Sequence, residues 1–369
     1  MADGSLEDTW RAIVSGARRG PSASAARGAL RLASWAFGAG ARARDLAFRA
    51  GLKTGRPAPL PVISIGNLTA GGTGKTPVVA WLAARLIEDG ERPGILSRGY
   101  RAGAEDLNDE GRLLELLVPE ALQVQQPDRV AGAARIAAAG ATVALLDDGF
   151  QHRRLKRELD IVLLDALEPF GFDALLPRGL LREPVSGLRR ADGVLITRAE
   201  HADPQRLAAI RARVAEEGGP DAVMEVRFEP APPVRLDGAE RDSEGQRERD
   251  GGSLDGRAVM GCCAIGHPAA FRATLESLGA RVVGFRSDPD HHIYTADELD
   301  ARLAEAVRCE AEALVITAKD AVKIQPLLAG RATPVPVLRL DITARPAEPE
   351  ALLTAVREAI AGWRRRAGA

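Results

Sequence analysis

Hydrophobic positions along the chain change their spacing repeatedly, and the changes mark out alternating strands and helices. An apolar run over 60–66 (Val62, Ile63, Ile65) gives way to a helical pattern over 76–89 carried by Val78, Val79, Trp81, Leu82 and Leu86. The same alternation continues with a short strand from Pro93, a helix over 110–117, an Ala-rich helix over 129–139 and a strand over 142–146. Strands at 160–165 and 193–197 and a helix at 203–216 follow. Strands alternating with helices predict a parallel, doubly wound sheet with ligands at the strand C-termini. Residues 222–237 read as two short strands split by prolines, and 238–255 as a polar, charged surface loop. A second αβ unit starts near Arg257, with helices from Pro268 and Thr295, strands at 281–285, 313–317 and 335–340, and a terminal helix over 347–365. Before all of this, residues 1–57 carry Ala- and Arg-rich helical patches around Trp10, Ile13, Val14, Leu30, Leu32, Trp35 and Phe37. Such basic, apolar segments suit an anionic membrane surface, and equally a helix packed on the following domain.

Composition narrows the picture. A chain of 369 residues predicts about two domains, and 46% hydrophobic with 27% charged residues is a globular balance. A formal net charge of −1 and 4% aromatics argue against a nucleic-acid binder, which needs a basic surface or stacking rings. Three cysteines without a Cys-x-x-Cys pair point to a reducing compartment rather than a disulfide framework. No apolar run has the length of a transmembrane span, and the first residues lack the pattern of a secretory signal.

The chemistry begins between the first strand and the first helix. Thr69-Ala70-Gly71-Gly72-Thr73-Gly74-Lys75-Thr76 is a Gly-rich turn ending in Gly-Lys-Thr, the context in which a loop cradles nucleotide phosphates. Glycines let backbone N–H groups approach a phosphate, and the helix N-terminus adds partial positive charge. Lys75 is expected to reach the β- and γ-phosphates, and Thr76 to offer its hydroxyl to Mg²⁺. The general pattern has Gly where this chain has Thr69. The strand 142–146 runs into Asp147-Asp148-Gly149, which reads either as a carboxylate pair for Mg²⁺ beside the phosphate loop or as a plain turn. Arg153, Arg154, Arg178, Arg182, Arg189 and Arg190 cluster in sequence near the strand ends, as a solvated basic face or as the seat of an anionic substrate.

Taken together, these motifs resemble the tetraacyldisaccharide 4′-kinase family of lipid A biosynthesis. The resemblance spans roughly residues 58–345. It rests on Gly66-Asn-Leu-Thr-Ala-Gly-Gly-Thr-Gly-Lys-Thr-Pro77, Ser97-Arg-Gly-Tyr100, Asn108-Asp-Glu110, Leu146-Asp-Asp-Gly-Phe-Gln-His152, Leu176-Pro-Arg-Gly-Leu-Leu-Arg-Glu-Pro184 and Asp290-His-His292, in the family's order. The family's loop shares Thr69. The resemblance implies transfer of the γ-phosphate of ATP, with Mg²⁺, to the 4′-hydroxyl of an acylated glucosamine disaccharide 1-phosphate, at the cytoplasmic face of the bacterial inner membrane as a peripheral protein. It implies an α/β fold: a P-loop NTPase-type domain and a smaller α/β domain joined by a two-stranded linker. On this chain that gives an N-terminal segment 1–57, a kinase domain 58–221, a linker 222–237 and a second domain 256–369, with the charged loop 238–255, read from composition, between the last two. Asp109 and His291 match a carboxylate–imidazole pair that activates the sugar hydroxyl, Lys75 joins them as a catalytic residue through its phosphate-loop role, and Asp147 and Asp148 match the metal carboxylates. Arg98, Glu110, His152, Arg178 and Arg182 fall in motifs expected to meet substrate. The chain departs from the family at Asn108 and Ala264, where it has Gly, at His267, where it has Asn, and at Ala318, where it has Glu.

Two other functions fit parts of the sequence. A P-loop ATPase or GTPase that works as a switch or assembly factor through protein partners would need a guanine-reading motif, and Thr317-Ala-Lys-Asp320 sits in such a place with its Lys one position late. An inactive relative of the kinases would account for the departures at Asn108 and Ala318.

Overall fold

The computed structural model describes residues 3–99, 107–237, 251–265, 268–289 and 292–368. Tyr100, most of the 238–255 loop, His267, Asp290 and His291 therefore lie outside the described residues.

The chain opens with helices α1 (Asp3–Val14) and α2 (Pro21–Arg49). It continues β1 (Val62–Asn67), α3 (Lys75–Glu88), β2 (Pro93–Ser97), α4 (Asp109–Leu117), β3 (Leu122–Gln125), α5 (Arg129–Ala138) and β4 (Val143–Asp147). Then come β5 (Leu159–Asp165), β6 (Gly193–Thr197), α6 (Pro204–Glu216), β7 (Val223–Pro230) and β8 (Val234–Arg235). The last part holds β9 (Ala258–Cys263), α7 (Pro268–Ser277), β10 (Arg281–Ser287), α8 (Ala296–Arg308), β11 (Ala313–Thr317), α9 (Ala318–Leu328), β12 (Val337–Leu340), β13 (Ile342–Pro346) and α10 (Pro349–Ala367). The chain divides into two units, one of residues 1–228 with 344–369 and one of residues 229–343.

The first unit is built on a sheet of order β13-β7-β6-β5-β1-β4-β2-β3. From β3 across to β7 the strands pair in parallel. Every residue of β1 and β4 is buried, as expected of central strands covered on both faces. Alternate side chains serve opposite cores: Ile63, Ile65, Leu145 and Leu163 pack with Val79, Leu82 and Leu86 of α3, while Val62, Ala144 and Leu146 pack with Ala133 and Ile136 of α5. β1 lies between β4 and β5: the chain leaves β1 toward β2 on one side and later crosses from β4 to β5 on the other, which opens a crevice at the C-terminal end of β1. The Gly-rich loop occupies that end.

The second unit has the sheet order β10-β9-β11-β12-β8, parallel except for the β8–β12 pair. Its core gathers Val259, Phe271, Leu275, Val315, Leu338 and Leu340.

Two expectations about segment membership are corrected. Of the proline-split strands in 222–237, β7 belongs to the first sheet and β8 to the second. The strand beside β7 is β13, which the sequence pattern did not reveal because it begins two residues after β12 ends. The terminal helix, expected in a second domain over 256–369, belongs instead to the first unit. Its apolar stripe, Leu352, Leu353, Val356 and Ile360, is buried in the core that contains α3, and Arg357 binds Asp89 through two hydrogen bonds of 2.8 Å. Hydrophobic spacing specifies a buried face but not the sheet that receives it.

Ile360→Ala is therefore expected to destabilise the first unit by about 2–5 kcal/mol. Hydrogen exchange should accelerate at the amides of β1 and β5 and stay unchanged in β9 and β11. Faster exchange confined to β9 and β11 would contradict the assignment.

Candidate active site

The Gly-rich loop is shaped by its neighbours as much as by its own glycines. Gly71 (φ 117°) and Gly74 (φ 77°) occupy the left-handed region, which side chains other than Gly enter at a cost. Gly74 caps α3, and a Cβ there would collide with the Phe228 ring. Thr69 forms an antiparallel bridge with Leu181, an extended conformation that needs no Gly. The Ala70 N–H donates to the Leu180 carbonyl at 2.7 Å and the Arg182 N–H to the Leu68 carbonyl at 2.8 Å. The crowding falls on Gly171, whose Cβ would meet Thr69 Cγ2 at 3.0 Å. The loop's second half is held from inside the fold. Asn67 Nδ2 donates to Thr73 Oγ1 at 3.0 Å, Thr197 Oγ1 donates to the Thr73 carbonyl at 2.8 Å, and Arg198 donates to the Gly72 carbonyl at 3.0 Å while pairing with Asp165. The Thr73 side chain thus faces Asn67.

The acidic pair stands beside this loop because β4 runs parallel to β1, with Asp147 paired in register with Ile65. Asp147 is buried, and among the described residues its Oδ1 has no hydrogen-bond partner. Burial pushes its carboxyl up to about 7, against the pull of Lys75 and with a further push from Asp148 and Glu110. Asp148 adopts φ 55° and meets different surroundings. Burial raises its carboxyl too, but Lys75, with Nζ 3.5 Å away, and Arg182, which donates to both carboxylate oxygens at 2.8 Å, outweigh it and hold Asp148 below the usual carboxylate range. An unpartnered buried carboxylate oxygen next to an ionised neighbour, with the Thr76 hydroxyl in the first turn of α3, is a donor set that fits a divalent cation.

Around this centre the sequence candidates divide. Glu110 and Arg129 lie within electrostatic reach of Asp147, and Arg98 within reach of Arg129. Arg129 is almost wholly buried, with one guanidinium nitrogen donating to the Gln126 carbonyl at 2.8 Å. His152 is half-buried, and burial together with Arg129, Arg154 and Arg157 lowers its imidazole to about 4, so it is neutral near pH 7. Asp109 opens α4 behind Asn108, whose side chain caps the helix by accepting from the Gly111 N–H at 2.9 Å and from Gln125 Nε2 at 2.6 Å. Asn108, where the resemblance has Gly, therefore makes a helix cap that Gly cannot make. Arg178 goes elsewhere: its guanidinium donates to the Val14 carbonyl at 3.0 Å and its N–H to Ser34 Oγ at 2.9 Å, which ties it to α1 and α2.

Residues that sequence reasoning did not single out also shape the site. Gln151 Nε2 donates to the Asn67 carbonyl at 2.8 Å and to Glu183 at 3.0 Å, and Glu183 pairs with Arg190 at 2.7 Å. Asp165 and Thr197 end the strands β5 and β6 on the other side of β1. Their position at strand C-termini was the available signal; pairing order was not. The guanine-motif candidate is excluded by its surroundings, since Asp320 is fully buried and accepts from Ala264, Tyr294 and Thr317 within the second unit.

The sequence as a whole matches the family described as tetraacyldisaccharide-1-P 4′-kinase over residues 26–361. The chain belongs to this family. A tetraacyldisaccharide 4′-kinase of Anaeromyxobacter dehalogenans is 44% identical over 333 residues, covering 85% of this chain and 86% of the relative. One from Geobacter sulfurreducens is 34% identical over 365 residues, covering 94% and 97%. Among solved structures, LpxK from Aquifex aeolicus in complex with ATP superposes with a TM-score of 0.69 at 28% identity, covering 90% of this chain and 99% of that one. Membership in the kinase family gives the Gly-rich loop and acidic pair a shared context. It also removes the switch-protein alternative, which the buried Asp320 had already weakened.

The depressed His152 imidazole has a consequence for acid stability. An unfolded chain protonates this side chain near 6.5 and the folded one only near 4, so stability is lost as pH falls through that window. In His152→Gln the difference in unfolding free energy between about pH 7.5 and about pH 5 should be smaller than in the parent. Urea titrations at both pH values measure it, and an unchanged difference would contradict the assigned environment.

Proposed function

We propose that the chain transfers the γ-phosphoryl group of ATP to the 4′-hydroxyl of tetraacyldisaccharide 1-phosphate, giving lipid IVA. The observation that carries this reading is the placement of Asp147, buried with an unpartnered oxygen, in register beside the strand that feeds the Gly-rich loop. In this reading the loop N–H groups and Lys75 bind the triphosphate, and Thr76 and Asp147 hold Mg²⁺, with Asp148 beside them. Bound Mg²⁺ neutralises charge on the phosphate oxygens. Arg182 keeps Asp148 ionised. Asp109 and His291 act as a pair that takes the proton of the 4′-hydroxyl as its oxygen bonds to the γ-phosphorus and the bond to the β–γ bridging oxygen breaks. Arg98, Glu110 and His152 belong to the acceptor side of the loop in the same reading.

The acceptor carries acyl chains, and α2 offers a surface suited to them. Leu32, Trp35 and Leu46 are 62%, 66% and 64% exposed and fall on one side of the helix, away from the buried Ser34 and Gly38. Arg31, Arg42 and Arg49 flank that side. No helix among the described residues is long and apolar enough to cross a membrane. An amphipathic, basic helix lying in the interface of the anionic inner membrane, on its cytoplasmic face, supports a peripheral association.

Radiolabelled ATP with tetraacyldisaccharide 1-phosphate should yield labelled lipid that depends on Mg²⁺. Intact protein that labels no lipid would overturn the reading. Asp109→Ala and His291→Ala should each lower kcat by about 10²–10⁴-fold with little change in ATP affinity; a comparable loss of ATP affinity would assign them to the nucleotide instead. For the surface, Trp35→Glu should weaken sedimentation with anionic vesicles by about tenfold, and binding equal to the parent would remove α2 from the interface.

A further inference from the structure

A cleft of about 270 Å³ lies wholly within the first unit, between the C-terminal half of α2 and the stretch 183–190 that follows Arg182. Five arginines line it: Arg42, Arg44 and Arg49 from α2, Arg153 from the loop after β4, and Arg190 from the opposite wall. Two acids stand against them, Asp45 and Glu183, which leaves three positive charges in excess. Both acids are committed. Asp45 pairs with Arg153 at 2.7 Å and with Arg49 at 2.8 Å, and Glu183 accepts from Arg190 at 2.7 Å and from Gln151 at 3.0 Å. Arg42 and Arg44 pair with no acid among the described residues. The arginine cluster seen in the sequence is thereby sorted. Arg178 serves the N-terminal helices, Arg182 serves Asp148, and Arg189 donates to the Glu217 carbonyl at 2.8 Å, while Arg153 and Arg190 line this cleft.

Two of the guanidinium groups are fixed in advance. Arg153 lies over the Phe48 ring, 4.4 Å from its centroid, and Arg190 over the Phe150 ring at 4.5 Å. A guanidinium held by an aromatic face and a carboxylate has already lost the freedom that a ligand would otherwise have to remove. A planar fork suits phosphate, whose oxygens can accept two parallel N–H bonds. A phosphate monoester carries about 1.5–2 negative charges near pH 7, which the excess of positive charge can balance. The ends of the cleft are also informative. At one end Gln151 donates to the Asn67 carbonyl at the end of β1, and Arg182, the residue before Glu183, binds Asp148. At the other, Leu46 belongs to the exposed apolar side of α2.

We infer that this cleft binds the phosphate monoester of the acceptor lipid, with Arg42, Arg44, Arg153 and Arg190 as the residues that select for it; this rests on reading the chain as a kinase for that lipid. An acceptor with its hydroxyl at the Gly-rich loop and its acyl chains along α2 spans the ground between them, and the cleft opens on that ground. The phosphate it already carries is the group that arginines can distinguish from a neutral sugar. It takes no part in the transfer and serves to hold the far end of the disaccharide.

The test compares tetraacyldisaccharide 1-phosphate with the same lipid lacking its phosphate, using the full chain and radiolabelled ATP in neutral detergent micelles free of phospholipid. The parent should favour the phosphorylated acceptor in kcat/KM by about 100-fold, the worth of two charge-assisted contacts. Two variants probe the cleft. Arg42→Gln combined with Arg44→Gln leaves no acid unpaired, and Arg190→Lys keeps a charge beside Glu183 but loses the planar fork. Each should lower the preference by about tenfold, through the KM of the phosphorylated acceptor, with the ATP KM and the thermal midpoint near the parent's. Equal use of the two acceptors by the parent, or a parental preference in both variants, overturns the inference and leaves the kinase assignment standing. An equal loss on both acceptors overturns it too, since the arginines then do not read the phosphate. Variants that keep the preference but no longer sediment with phosphatidylglycerol vesicles would assign the cleft to membrane headgroups instead. A parent that labels neither acceptor overturns the kinase assignment, and this inference with it.

Discussion

A carboxylate buried beside a phosphate-binding loop has to be balanced by charge, and much of the first unit is arranged around that requirement at Asp147. Register between β4 and β1 puts the side chain there, and burial lifts its carboxyl to about 7. The neighbours divide the remaining electrostatics. Lys75 faces both acids, Arg182 is committed to Asp148, and Arg129 is buried within reach of both. His152, surrounded by arginines, stays neutral near pH 7 and adds no further positive charge. One acid is satisfied by protein and the other retains an open oxygen, an asymmetry that suits a cation-binding position next to a triphosphate.

Two of the buried aspartates among the described residues, Asp147 and Asp320, make a useful contrast. Asp147 lacks a donor at one oxygen, whereas Asp320 has donors at both. A low-dielectric environment makes the first an incomplete site and the second a structural junction. The residue type and its place at a strand or helix end are the same in the two cases; the count of donors is what separates them.

That contrast also explains how far the sequence could be read. Periodicity located the strands β1, β4, β5 and β6 and the helices between them, because central parallel strands are continuous apolar runs. The Gly-rich loop and Asp147-Asp148 were legible because chemistry there needs fixed residue types at fixed spacing. Strand partnership was not legible. β8 and β13 are short, their hydrophobic signal is weak, and the sheet that each joins is decided by contacts distant in sequence. The same limit applies to α10, whose stripe was visible but whose receiving core was not. Within the site, Thr197 and Arg198 hydrogen-bond loop carbonyls and Gln151 the Asn67 carbonyl at the end of β1, and no local pattern announces such bonds. Thr69 shows the reverse: it looked like a departure from the phosphate-loop pattern until its bridge to Leu181 supplied the reason.

The segment 171–182 has a position that only the three-dimensional arrangement shows. At one end it bridges Thr69 and takes the Ala70 N–H; at the other, the Trp10 indole donates to the Pro177 carbonyl and Ser34 donates to the Leu175 carbonyl, both at 2.9 Å. Gly38 permits the close approach, since a Cβ there would meet Leu175 at 2.8 Å. One short stretch is thus fastened both to the Gly-rich loop and to the N-terminal helices. By thermodynamic reciprocity, any displacement of α2 that strains this stretch alters the free energy of the loop, and ligation of the loop alters that of α2 by the same amount.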